Sequence, residues 1–311
     1  MVGSVFTLNI LLSVLADAAY ALLVGALLAG LWWDVTDELG LSSVGLSSVG
    51  LGERWHQPFV LLTGVLLTGV QLARPWFLAA GMSGSTNFHD NLILIPTILS
   101  STHQGALWYW NFGVLLLLFI GVAQMRKSGS LCRITLLASV LALACLKAAT
   151  GHAADQGDFT LVEGIQAIHI LATAVWSGSV LMAGFFVLPR IVLHAEPAAV
   201  WRYMSKLSKT ATYALIAVLV SGAYTSDREL SNSLAGLGTS MWGRVLLAKI
   251  VCVLVAMSLG AYCRFRYLGC EASKSGVRRV LLLLRWEAMM MAAILLLSGL
   301  LGNSAPPMSN L

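Results

Sequence analysis

Apolar residues run through the chain in eight long blocks, at 5–33, 57–80, 104–125, 131–150, 161–188, 207–226, 241–263 and 280–302, with short polar intervals between them. A helix rises about 1.5 Å per residue and needs roughly 20 apolar residues to cross a bilayer core, so each block predicts one transmembrane helix. The expected fold is all-α, a polytopic eight-helix bundle forming a single membrane domain over residues 1–311. The first block lacks a basic leader and a small-residue cleavage site after a short apolar core, so it reads as a retained helix. Residues 91–101 are apolar but too short to span, and are expected to lie in the interface or to re-enter.

Basic residues give the bundle an orientation. Alternate intervals carry Arg54, then Arg126, Lys127 and Arg133, then Arg190, Arg202, Lys206 and Lys209, then Arg264, Arg266, Lys274, Arg278 and Arg279. The opposite intervals hold little beyond Arg74, Arg228 and Arg244. Short loops rich in Lys and Arg stay in the cytoplasm, so both termini and the loops near 81–103, 151–160 and 227–240 are expected outside. The net charge of +5 is then a topology signal, and nucleic-acid binding is not expected. With 58% hydrophobic and only 11% charged residues, against about a quarter charged in soluble domains, the composition agrees.

No interval is long enough for a soluble nucleotide-hydrolysing domain, and no GxxxxGK[ST] loop is present. Enzyme chemistry is not expected. Residues 40–52, with the twice-repeated Leu-Ser-Ser-Val-Gly, read as a flexible cytoplasmic linker. Thr68-Gly69 with Thr102-x-x-Gly105 echoes Ser221-Gly222 with Ser240-x-x-Gly243, which suggests two related four-helix halves; small residues that merely allow close helix packing would read the same way.

The candidate chemistry gathers on the expected outer face. His89 and His103, with Met82, lie in the first long outer interval, His152 ends the fourth span, and His169 enters the fifth. Imidazole and thioether donors suit copper, with thioether favouring the reduced ion. Asp155 and Asp158 between His152 and His169 read as solvated loop charges. Asp17, Glu163, Lys249 and Glu287 are charges in or beside spans, where an unpaired charge costs at least about 2.5 kcal/mol; pairs such as Asp17 with Lys249 are expected, and Lys147 can snorkel. Trp176 is expected to shape a path. Met289, Met290 and Met291 are successive, hence spread around their helix. The five cysteines form no CxxC pair; Cys132, Cys263 and Cys270 fall near the cytoplasmic side, where a thiolate could receive Cu(I) on exit, but free membrane cysteines more often serve as small packing residues.

Gly151-His152-Ala153, His169 with Trp176 and Gly178, Gly243-Arg244-x-Leu246-Leu247-Ala248-Lys249, and Glu287 with Pro306-Pro307 resemble the CopD/PcoD copper resistance proteins of the bacterial inner membrane, mostly over residues 95–307. The resemblance implies eight spans, copper ions as the bound species in either oxidation state, and transfer from periplasm to cytoplasm beside a periplasmic CopC-like copper-binding partner. Two other readings stand beside it: a docking receptor for such a partner, which uses the same outer His and Met residues and moves no ion, and a b-type haem carrier, for which only His169 lies deep in a span. The haem reading needs opposed histidines within spans.

Overall fold

The computed structural model describes residues 2–36, 55–125, 129–151, 157, 159–191, 197–229, 238, 240–267 and 274–304. The linker 40–52, His152, Asp155, Asp158, Cys270 and Pro306-Pro307 lie outside the described residues.

Among the described residues the elements are helices: α1 (Val2–Thr36), α2 (Gln57–Ser83), α3 (Phe88–Ser101), α4 (His103–Gln124), α5 (Ser130–Ala149), α6 (Leu161–Leu181), a π-helical segment (Met182–Val187), α7 (Leu188–Ile191), α8 (Pro197–Glu229), α9 (Met241–Tyr267) and α10 (Lys274–Gly302). Eight stretches are long and apolar enough to cross a membrane: Val5–Trp32, Gln57–Ser83, His103–Gln124, Ser130–Ala149, Leu161–Ile191, Val200–Arg228, Met241–Tyr267 and Arg278–Gly302. The chain is a multi-pass helical membrane protein. Many large apolar side chains stand exposed along these helices, among them Leu62, Val65, Leu116, Ile134, Leu137, Val220 and Val251, as lipid-facing surfaces require.

Two boundaries differ from the sequence expectation. The helix expected at 207–226 begins at Pro197, because its first turns are amphipathic. Val200, Tyr203, Met204 and Leu207 form a buried stripe, while Arg202 on the other side breaks the run of apolar residues. The interval 81–103 is largely the separate helix α3. Asn87 caps it by accepting a hydrogen bond from the His89 backbone N–H at 3.1 Å, and Thr102 both ends it and caps α4 through Gly105 N–H at 3.0 Å.

The chain packs as two compact units, Met1–Ala19 with Leu61–Leu171 and Tyr20–Val60 with Ala172–Leu311. Neither is a run of four successive spans. In the first unit, polar groups satisfy one another inside the helices. Gln71 donates from Nε2 to Asn111 Oδ1 at 3.0 Å, Asn111 donates to Leu107 O at 2.9 Å, and the Trp108 indole donates to Gln71 O at 2.7 Å. Buried Asn91 ties α3 to the chain before it, accepting from Ser83 Oγ at 2.8 Å and donating to Ser85 O at 3.0 Å. Gly121 lets α5 approach α4, since a Cβ there would meet Leu136 Cδ2 at 2.8 Å.

The second unit is built on small residues. Ala21, Gly25 and Ala29 recur at the four-residue spacing that brings membrane helices together, and Ala174 and Gly178 answer on α6. The backbones touch there: a Cβ on Gly178 would stand 1.8 Å from the Ala21 carbonyl oxygen, and one on Gly25 2.2 Å from that of Gly178. Beyond the crossing, the His56 ring seats on Gly30, Trp32 meets Tyr203 edge-on at 5.6 Å, and Phe59 meets Phe186 at 4.9 Å. Helices α9 and α10 pack antiparallel, with Trp242 and Leu246 against Leu301 at one end and Gly260 against Glu287 toward the other.

The π segment has a sequence cause. Pro189 has no N–H to donate and its ring would crowd the carbonyl four residues earlier, so the turn before it widens and the Leu188 N–H reaches back to Ala183 O. Gly184 in this segment lies flat on α10, its Cβ position 3.2 Å from both Ala288 Cβ and the Leu284 carbonyl oxygen.

Candidate metal-handling residues

The residues singled out from the sequence fall into three groups. Met82, His89 and His103 are exposed, at the end of α2, the first turn of α3 and the first residue of α4. Helix α3 stands between the two histidines and spaces them by about 21 Å of helix length, too far to share one ion. A loop would have let them approach; a capped helix holds them apart. His169 is half-buried on α6 within the first unit. Among the described residues, no three or more His, Cys, Asp or Glu side chains are placed to hold a metal ion together.

The second group has structural partners. Asp17 on α1 pairs with Lys147 on α5, and not with Lys249. Lys147, a third exposed in the last turn of α5, gives its ammonium to a carboxylate that would otherwise be an uncompensated charge in the bundle. Glu163 closes the start of α6: its Oε2 accepts from the Phe159 backbone N–H at 2.7 Å, while Thr160 Oγ1 accepts from the Glu163 N–H at 3.2 Å. Thr-x-x-Glu before an apolar run is a capping pair, so the sequence held this signal. Lys249 is half-buried on α9.

The third group lies wholly within the second unit. The buried face of α10 is Val280, Leu284, Glu287, Ala288, Met291, Ile294 and Leu295, a stripe at helical spacing with one carboxylate in an otherwise apolar row. Glu287 is 6% exposed and Trp176 is 3% exposed. The Trp176 indole hydrogen-bonds the carboxylate, held in place by the Gly25–Gly178 crossing next to it on α6. On α9, Gly260 leaves room for the acid: a Cβ there would lie 3.2 Å from Glu287 Oε1. Cys263 is one turn further along the same face of α9, buried, and within electrostatic reach of the carboxylate. Among the described residues Glu287 has no ion-pair partner.

Sequence reasoning named Trp176, Glu287 and Cys263, the thiol chiefly as a packing residue, but passed over Gly260. The Gly-x-x-Cys spacing on a helix places a gap and a thiol on one face, and that was legible; which face meets α10 was not. Of the three consecutive methionines, Met289 is exposed and Met291 is fully buried on the Glu287 face. Cys132, Cys145, Cys252 and Cys263 are free thiols.

A family model for the N-terminal domain of copper resistance protein D-like proteins matches residues 4–162, and one for copper resistance protein D matches residues 201–301. No curated protein and no solved structure matches the chain. The N-terminal match alone spans just over half of the 311 residues, and the second match takes in the helices that carry Gly260, Cys263 and Glu287. Four of the eight membrane-capable helices lie beneath the first match and three beneath the second, with Leu161–Ile191 between them, and the chain belongs to the copper resistance protein D family.

Proposed function

We propose that this protein sits in the bacterial inner membrane with both termini outside and moves copper ions from the periplasm to the cytoplasm without hydrolysing nucleotide. The observation that carries the reading is the copper resistance match over residues 4–162 and 201–301. Three features support it. Basic residues crowd alternate intervals, which orients the helices. Polar groups are held inside spans at Gln71–Asn111, Asp17–Lys147 and Trp176–Glu287, where their desolvation is not explained by helix formation alone. The stretch has no motor of its own, so a gradient or a partner drives the ion. No covalent step belongs to this reading.

A second reading has one observation in its favour. Because Met82, His89 and His103 are exposed and held apart, they suit presentation of single donors to a periplasmic CopC-like copper protein better than a closed site. Docking and transport separate in proteoliposomes holding an internal copper indicator. Transport predicts filling that empty liposomes lack and that His169→Ala slows; docking predicts saturable surface copper without filling. Neither binding nor filling overturns both, and a Soret band in the purified protein points to haem instead.

A further inference from the structure

Helix α3 is too short to span, and its side chains divide by face. At about 100° per residue, Leu94, Ile98, Ile95, Phe88, Leu99 and Leu92 share an arc of about 160° around Asn91. The remaining arc holds His89, Asp90, Pro96, Thr97, Ser100 and Ser101, all exposed, with Ile93 the one apolar exception. The protein covers only the middle of the apolar arc. Asn91 and Ile98 are buried and Ile95 and Leu99 half-buried, whereas Phe88 at the helix start is 65% exposed, and Leu92 and Leu94 on the two margins are 42% and 37% exposed. Asn91, the polar member of this arc, is already spent on Ser83 and Ser85.

Contacts at both ends set the depth of α3. Phe88 stacks on Trp76 with ring centroids 6.0 Å apart, and Trp76 Nε1 donates to Phe88 O at 3.4 Å. Trp76 belongs with Trp108, Tyr109 and Trp110 to a set of aromatic residues near the outer ends of α2 and α4, and such residues settle at headgroup level. At the other end, the last turn of α3 lies on the backbone of α4: a Cβ on Gly105 would stand 2.4 Å from Leu99 O. One extended residue, Thr102, joins α3 to α4, and residues 84–87 join it to α2. Neither end can lift away from the spanning helices. Exposed Leu72, Tyr109 and Trp110 bring apolar surface up α2 and α4 to the level of Trp76, so the uncovered margins of α3 continue a surface already turned to lipid.

We infer that α3 is an in-plane helix of the outer leaflet, with its apolar arc seated among the acyl chains below the headgroups and its polar arc facing water. The occupant of the uncovered face is the bilayer that the spanning helices already cross. The polar arc carries one His and one Asp, too little charge to draw the helix to a surface, so apolar burial holds it there. The setting keeps His89 and Asp90 on the aqueous side and fixes the corner at Thr102 from which α4 enters the membrane. It goes beyond copper transfer and does not depend on it.

The test uses the full chain in phospholipid nanodiscs, one chain per disc, carrying Leu92→Cys, Leu94→Cys, Thr97→Cys or Ser100→Cys. A membrane-impermeant maleimide is added, and the unsubstituted chain gives the background from its own thiols. Thr97→Cys and Ser100→Cys are expected to label at least about tenfold faster than Leu92→Cys and Leu94→Cys, with all four alike once the chain is unfolded in SDS. A benzophenone amino acid in place of Leu92 is expected to form phospholipid adducts under illumination, and one in place of Thr97 to form none. Equal labelling of all four variants puts the apolar arc in water and overturns the inference. Protection of all four puts the polar arc out of water and overturns it too. Protein adducts from position 92 in intact cells, with no lipid adduct in discs, assign the face to a partner or a second copy and overturn it as well. Each face is probed at two positions, so one variant that fails to fold leaves the comparison standing.

Discussion

Asp17 and Glu287 are the same functional group set inside two different units, and the fold treats them differently. Asp17, 12% exposed, has been given Lys147. Glu287, 6% exposed, has been given an indole, a glycine-lined gap and a thiol. The first arrangement neutralises a charge with the protein's own cation and fixes α1 to α5. The second holds an acid with no cation of the protein's own beside it among the described residues. A buried ion pair is weak evidence for function, because a structural lock uses the same atoms; a buried acid without a cation is stronger evidence.

The contrast can be broken most severely at Gly178. Gly178→Ala drives a methyl into the Ala21 carbonyl and pushes α6, with Trp176, off α1, so folded protein recovered by size-exclusion chromatography is expected to fall to a small fraction of wild type. A functional, stable Gly178→Ala protein would show that the close crossing does not position the Glu287 site.

Next comes the ion pair. Lys147→Met alone strands the Asp17 charge and is expected to cost roughly 3 kcal/mol, read as a lowered denaturation midpoint. Adding Asp17→Leu is expected to restore most of that loss and to leave cellular copper response intact. Failure of the double variant to recover stability would mean that the pair does more than cancel charge.

Glu287→Gln should then show the reverse profile. Replacing a buried acid that no protein cation pairs with by its neutral isostere is expected to leave the midpoint within about 1 kcal/mol of wild type or raise it, while copper response is lost. A large destabilisation by Glu287→Gln would make Glu287 a lock like Asp17 and erase the distinction.

The smallest effect is expected at the start of α6. Thr160→Ala removes the side-chain partner of the Glu163 N–H and should cost about 1 kcal/mol in the same denaturation assay, with copper response unchanged. Loss of copper response there would return Glu163 to the pathway.

The spans were legible because membrane insertion depends on a one-dimensional quantity, the length of an apolar run, and that is written along the chain. Where a helix began amphipathically, as at Val200 to Leu207, run length failed and helical spacing would have found it. The position of Glu287 in an apolar stripe could also be read at helical spacing. Partner choice could not. That Asp17 meets Lys147, 130 residues away, depends on how two helices are rotated about their axes, and no local pattern records that angle. The histidines show the same limit: residue type marked His89 and His103 as ligands, but whether they converge depended on α3, whose caps at Asn87 and Thr102 turn an apparent loop into a spacer.

The widened turn at Met182–Val187 changes the helical phase of everything after it. Taking up one residue beyond the regular repeat rotates the following side chains by about 100° relative to an uninterrupted helix. The face that carries Trp176 is thereby released from continuing into Leu188 and Ile191, which are buried on a heading of their own. Removing a single residue from this turn would realign both stretches, and one of them would have to surrender its packing to the lipid.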